Sequence, residues 1–312
     1  MKTRSASICL TSSVQIQTVV TNENPMQIMR TIMSLARTVE LARQGMSTPN
    51  VEATVALPDH FSSESTDALH ALLNSHVAPL RLRYERYPTP MSVRAVHHEL
   101  AGSCAQEFLW MTEADATVSP RSLERMIATL QEGGGGAVEA RPLPLERFPI
   151  EYDSVTGDTS WIPMHCAMMP TSLYREVGGF DATHLDEWHA AVDLSWRIRL
   201  FGSHVRMQPA ATAFRDACTN SEVDNLSHAE RYRAASSTLL LALKWSHSDV
   251  AERTMRAWLD EGDLWQRRAA SDLSGRLNMG WLPPMYDPEH RIGRFDSASY
   301  APLRYVQVHS SK

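Results

Sequence analysis

Lysine is almost missing from this 312-residue chain: it stands only at Lys2, Lys244 and Lys312, so nearly every basic residue is an arginine. Genome base composition accounts for that bias at least as well as phosphate recognition does. With 30 basic and 36 acidic residues the net charge is -6. That balance excludes the broad basic footprint of a general nucleic-acid binder, though not a local patch. Cysteine is scarce as well. Cys9, Cys104, Cys166 and Cys218 lie far apart and form no CxxC pair, which argues against a zinc site and a disulfide framework. Long apolar runs are absent too; LLLALKW is far short of the ~20 residues of a membrane-spanning helix. Lys2 and Arg4 open the chain, but Thr, Ser and Gln interrupt the segment behind them, so it reads as a first strand rather than a signal peptide. The expected location is cytoplasmic. A phosphate-cradling Gly-x-Gly-x-x-Gly is also lacking. EGGGG at 132–136 comes after a helical pattern and precedes Ala137-Val138, so it reads as a flexible connection. No internal repeat is present.

What remains is an ordinary globular composition, 43% hydrophobic and 21% charged, with length enough for one large α/β domain or two smaller ones. Val14–Val20 alternates and then runs apolar, as a strand does. It breaks at Thr21-Asn-Glu-Asn-Pro25, a good helix start, and IMRTIMSLARTVELAR comes next with helical spacing. Val51–Leu57 is a second strand ending in PDHFSSES. A helix near Ser65–Asn74, a short strand near Leu80–Tyr84 and a helix near Ser92–Ala101 lead to the strand FLWM. Pro120 then opens another helix at its first turn. After about Asn225 the pattern is mainly helical, through Arg231–Trp245 and Val250–Leu259, and the tail from Trp281 has no clear period. Strands alternating with helices predict a parallel sheet covered on both faces, with ligands gathered beyond the strands' C-terminal ends.

Two features sit at such ends. One is PDHFSSES. The other is Glu113-Ala114-Asp115, directly after FLWMT. Residues at i and i+2 of a strand point to one side, so the two carboxylates face a common point. A hard divalent cation is a good reason to place like charges together, and incidental acids of a solvated loop are the plain alternative.

The order of these pieces resembles the family-two glycosyltransferases of the GT-A fold, over about residues 13 to 216. The resemblance rests on the turn Thr21-Asn22-Glu23-Asn24-Pro25, on Asp59-His-Phe-Ser62-Ser63-Glu64 and on Glu113-Ala114-Asp115 with Ser-Pro and a helix after it. It rests finally on VGGFDATHLDEWHAAVDLSWRIRLFG. It implies a Rossmann-like α/β fold with a mostly parallel central sheet flanked by helices. It places a nucleotide-sugar-binding and catalytic domain at 1–225 and a helical extension at 226–312 packed on it. The implied activity is transfer of a sugar from a nucleotide-diphosphate donor, a UDP-sugar foremost, to an acceptor hydroxyl, in the manner of a hexosyltransferase. Mn²⁺ or Mg²⁺ would neutralise the diphosphate leaving group. In that frame Thr21 and Asn22 belong to the donor turn, Asp59 reads the nucleobase and Arg94 lies near the diphosphate. Asp115 ligates the metal, Glu113 contacts the ribose or metal-bound water, and Asp216 adds a further oxygen where the family often has a His. His165 falls where family members approach the acceptor, and Met168-Met169 read as core.

The chain departs from the family where an acidic pair precedes the Asp-Leu-x-x-Arg helix. One of those acids is the general base of inverting members, and here the positions are Ala190 and Ala191. Asp193, two positions on, is expected to cap or brace the helix. Three alternatives are open. The base has migrated one turn to Asp186 or Glu187, or to His189; Glu187, four residues before Ala191, is placed first and inversion expected. Or the enzyme retains configuration without such a base. Or the chain binds nucleotide sugars with weak or lost catalysis. A nucleotidyltransferase is disfavoured because TNENP replaces the Gly-rich first loop. The acceptor stays open among a saccharide, a lipid-linked glycan, a natural-product hydroxyl and a modified nucleobase.

Overall fold

The structure is a computed structural model and describes residues 12–21, 23–45, 50–58, 79–132, 135–144, 152–215, 226–296 and 299–300. Asn22, Asp59, Asp216 and the helix expected near Ser65–Asn74 lie outside the described residues.

Eight strands form one sheet: β1 (Ser13–Val19), β2 (Asn50–Pro58), β3 (Arg81–Tyr87), β4 (Phe108–Glu113), β5 (Ala116–Val118), β6 (Gly136–Leu143), β7 (Cys166–Pro170) and β8 (His204–Arg215). Their order is β3-β2-β1-β4-β7-β6-β8-β5. The half from β3 to β4 is parallel, as expected. In the other half β7 runs antiparallel to both β4 and β6, and β5 runs antiparallel to β8. The sheet is therefore mixed, and its parallel half carries the expected ligand-binding edge. Register sets Val19 beside both Ala56 and Glu113. The turn after β1 and the acidic turn after β4 thus leave the sheet side by side.

Period-two alternation divides the core. In β4, Phe108 and Trp110 join a buried cluster on one face, with Ile32 and Leu35 of helix α1 (Pro25–Gly45). Leu109 and Met111 point to the other face, into a cluster holding Trp161, Trp196 and Trp245. Met168 and Met169 are fully buried, one on each face, as core residues. Helix α1 starts where its sequence says it should. Asn24 Oδ1 accepts from the amides of Met26 and Gln27 at 3.0 Å each, and Pro25 takes the first position, where no amide is needed. Helix α2 (Val93–Gly102) is capped by Ser92. Helix α3 (Ser122–Glu132) begins two residues after Pro120, so that proline belongs to the preceding turn and not to the helix.

Helix α4 (Thr171–Glu176) is short and ends at the Gly-Gly-Phe-Asp segment. Gly178 and Gly179 both take left-handed backbone, at φ +85° and +63°, and a Cβ on Gly179 would lie 2.5 Å from His98 Nδ1. That pair of glycines is required by the turn. Helix α5 (Glu187–Leu200) comes next, then α6 (His228–Lys244), α7 (Ser248–Glu261) and α8 (Leu264–Asn278). The third of these C-terminal helices opens on a capping box of Asp263 and Gln266. A two-residue pairing of Phe295–Asp296 with Ser299–Tyr300 closes the described chain.

Helix α5 is tied to α6 through buried charge. Asp193 is fully buried and accepts from Arg197 Nε at 2.9 Å, Lys244 Nζ at 3.0 Å and Trp245 Nε1 at 3.1 Å. Lys244 also reaches Asp181 at 2.8 Å. Asp193 therefore braces α5, while Asp186 caps it. Three cationic or polar partners on one carboxylate satisfy the lone pairs that burial would otherwise orphan. The one lysine in the interior of the sequence is committed to this network.

Candidate functional site

The acidic turn after β4 is built by two strand pairings. Parallel pairing with β1 carries Glu113 to the sheet's edge, and β5 then pairs with β8 so that Ala116 lies opposite Arg215. The two carboxylates do converge. Arg215 Nε lies 2.8 Å from Glu113 Oε2, 3.1 Å from Asp115 Oδ1 and 3.3 Å from Asp115 Oδ2. The other Glu113 oxygen forms a very short contact with His165 Nδ1. Burial alone would raise the Glu113 carboxyl, but His165, Arg215 and Arg94 outweigh it and hold it near 2. The two carboxylates thus meet as expected, but Ala114-Asp115 is a turn and not strand, so the turn between β4 and β5 brings them together rather than strand periodicity. The cation at the focus is an arginine of this chain.

Two hard carboxylates meeting at one cation have the chemistry that Mn²⁺ or Mg²⁺ needs. Among the described residues no group of three or more His, Cys, Asp or Glu is arranged to hold a metal. Asp115 and Glu113 fit two positions of such a site, with the others left to water or donor oxygens.

Sequence reasoning missed two acids beside this pair. Glu23 accepts from the Thr21 amide at 2.6 Å and the Thr21 hydroxyl at 3.0 Å. Burial raises its carboxyl above the ordinary value, and the charge of Asp115 adds to that rise. Glu139 of β6 is fully buried. Its Oε1 accepts from the Cys166 amide at 2.7 Å, and among the described residues Oε2 has no hydrogen-bond partner. Burial pushes it up to about 7, against the pull of His165 and Arg94. Glu139 lies in GAVEARPL, where a lone acid reads as the wet face of an alternating strand, so only the strand order reveals its burial.

Arg94 was expected beside a diphosphate. It is instead buried, donating to the carbonyls of Pro163 at 2.7 Å, Met164 at 2.9 Å and Glu187 at 3.3 Å, with Phe180 below its guanidinium. That is the geometry of a clamp joining α2 to the chain ahead of β7 and to α5.

A cleft of about 850 Å³ opens next to Thr21, between the N-terminal ends of α2 and α5 and the face of α6. Met91, Val93, Trp188 and Leu226 line it together with Asp186, Glu187, His189 and Glu230. The structure brings all three expected base residues to this cleft but in different states. Asp186 Oδ1 caps α5 and accepts from both the amide and Nδ1 of His189, each at 2.8 Å. His189 Nε2 meets the Thr238 hydroxyl at 3.2 Å. Glu187 is exposed, with one oxygen accepting from the Val93 amide at 3.2 Å. Trp188 stands edge-on to Trp161 and near His165, at centroid distances of 4.9 and 6.2 Å.

Ala190 and Ala191 are fully buried in the tryptophan-rich cluster. Neither alanine is among the residues that line the cleft.

No protein-family model matches the chain, and no curated protein matches it. Solved structures do. The mannosyltransferase PcManGT from Pyrobaculum calidifontis, in complex with GDP-Man and Mn²⁺, aligns with a TM-score of 0.52 at 18% identity, over 86% of this chain and 76% of that one. GalNAc-T7 with UDP, GalNAc and Mn²⁺ aligns at 0.59 and 10% identity, over 88% of this chain. The match spans 59% of the GalNAc-T7 chain. The chain has the fold of the GT-A glycosyltransferases. Among the described residues no helix is long and apolar enough to cross a membrane.

Proposed function

We propose that this chain is a glycosyltransferase that moves a sugar from a nucleotide-diphosphate donor to an acceptor hydroxyl with a divalent metal. The observation that carries the reading is the convergence of Glu113 and Asp115 on one cation at the C-terminal edge of the parallel strands, beside the cleft. Ligands of open α/β sheets collect at that edge. The solved structures of the same fold hold Mn²⁺ with GDP-Man or with UDP and GalNAc. When bound, the metal would supply charge neutralisation of the departing diphosphate. Asp115 and Glu113 are the residues proposed to hold it, with Asp216 a third, and Thr21, Asn22 and Asp59 are proposed to bind the donor. In this reading residues 1–225 are the donor-binding and catalytic domain and 226–312 an extension packed on it.

For the acceptor, Glu187 is the base. Asp186 is committed to capping α5, and both ring nitrogens of His189 are engaged. Glu187 alone of the three presents an exposed side chain to the cleft. It would take the acceptor hydroxyl's proton while that oxygen attacks the anomeric carbon, giving inversion. The test is transfer from UDP- and GDP-sugars with Mn²⁺ to saccharide, lipid-linked and natural-product acceptors, with stereochemistry read on the product.

A second reading is a nucleotide-sugar-binding protein without transfer. The burial of Ala190 and Ala191 favours it, because the usual position of the base is closed. Metal-dependent donor binding with neither hydrolysis nor transfer would select it.

A further inference from the structure

Arg215 touches the same oxygens a divalent cation would need. Its Nε is 2.8 Å from Glu113 and 3.1 and 3.3 Å from the two Asp115 oxygens. The three side chains are only 15%, 21% and 7% exposed, so water screens the attraction weakly. A metal and a guanidinium are both positive and cannot both contact these carboxylates without strong repulsion. The two therefore compete for the same lone pairs.

The consequences for the two acids differ. Glu113 keeps His165 on its other oxygen when Arg215 leaves. Among the described residues, Asp115 has hydrogen bonds from Arg215 on both of its oxygens, so it is the group the exchange releases. Arg215 is the last residue of β8, and its backbone pairing with Ala116 does not depend on where its side chain points.

We infer that Arg215 is an internal counter-cation that divalent metal must displace, and that this exchange makes metal and nucleoside-diphosphate binding cooperative. The inference rests on the metal-dependent donor site proposed above. Metal arriving alone has to break the Arg215 ion pairs and leave a guanidinium beside a dication. A diphosphate arriving with it brings negative charge that neutralises the metal and offers the displaced guanidinium a new anionic partner. Coupling is reciprocal, so metal tightens the nucleotide as much as the nucleotide tightens the metal.

The test is a Mn²⁺ titration of the full chain by calorimetry and by the electron paramagnetic resonance of free Mn²⁺, with and without saturating UDP or GDP. The variants are R215Q and R215K. The parent is expected to bind Mn²⁺ weakly alone and more tightly with the nucleotide. R215Q should bind Mn²⁺ alone more tightly than the parent, by roughly 5–150-fold, and lose most of the tightening from nucleotide. R215K keeps the charge but lacks the planar fork, so its effect should be in the same direction and smaller. If R215Q does not fold, as judged by circular dichroism, R215K carries the comparison. Unchanged or weaker Mn²⁺ affinity in a folded variant, with the parent still binding Mn²⁺ and nucleotide together, overturns the displacement and leaves the metal site standing. If the parent binds no Mn²⁺ even with nucleotide, the metal site itself fails and the displacement fails with it.

Discussion

Glu139 gives the sharpest stability prediction. It is a fully buried carboxyl with one oxygen bonded to the Cys166 amide and the other without a partner among the described residues, and burial lifts it from 4.5 to about 7. Below about pH 4.5 both folded and unfolded chains hold the proton, so the group contributes no pH dependence. Between 4.5 and about 7 the folded chain keeps a proton that the unfolded chain releases, and stability falls as pH rises. Above about 7 the full penalty is present, on the order of 3 kcal/mol for a displacement of that size. Glu139→Gln retains an acceptor for the Cys166 amide and has no charge at any pH. Its amide group adds a constant cost, so the informative quantity is the difference between variant and parent as pH changes. Urea unfolding at pH 5, 6, 7 and 8 should show that difference moving in the variant's favour by about 2–3 kcal/mol across the range. Parallel stability curves for the two proteins would refute the buried, proton-holding Glu139.

Glu113 has the opposite sign: its carboxyl is held near 2, so its stabilisation is complete above about 4.5 and should disappear as pH falls toward 2, an effect that Glu113→Gln should remove from acid-unfolding curves. Ala191→Asp should cost roughly 2–7 kcal/mol even as a neutral acid, because it enters an apolar cluster, and should not raise transfer; a stable, more active variant would contradict the burial. Asp193→Asn should cost about 3–5 kcal/mol by leaving Lys244 and Arg197 buried against a neutral group, measured by urea unfolding. Glu187→Gln should preserve Mn²⁺-dependent nucleotide binding and lower transfer by about 10²–10⁴-fold; transfer at the parental rate would remove Glu187 from the base role.

Local signals carried much of the fold and stopped at long range. Helix α1 was legible because Asn24, Pro25 and Gln27 cap it within four residues, and β1, β2 and β4 because apolar runs end at clear breaks. The antiparallel half was not. β5 has three residues, β7 has five, and β8 contains Pro209 and pairs with β6 through a register shift near Ala140, so none shows a sustained period. Helix α8 was missed as a separate element although Asp263 and Gln266 form a capping box at its start. The site obeys the same division. Glu113 and Asp115 were found because two acids one residue apart close an apolar strand, which is a short-range signal, although Asp115 itself lies in the turn. Arg215 lies 100 residues from Asp115 and meets it only through the β5–β8 pairing. Arg94 sits in the expected helix, but its direction toward buried carbonyls is set by how α2, α5 and the chain before β7 meet. Asn22, Asp59 and Asp216 lie outside the described residues, and their donor-site roles stand as part of the proposed function.

Asp115 is the residue on which the proposed function turns. Calorimetry of UDP and GDP binding, with and without Mn²⁺, should show metal-dependent affinity in the parent. In Asp115→Ala that metal dependence should be lost, because the substitution deletes the anionic oxygens that water replaces poorly. A thermal-shift series with the same ligands should agree, since a ligand bound to the native state raises its melting temperature. Metal-dependent nucleotide affinity unchanged in a folded Asp115→Ala would contradict the assignment of the acidic turn as the donor's metal site.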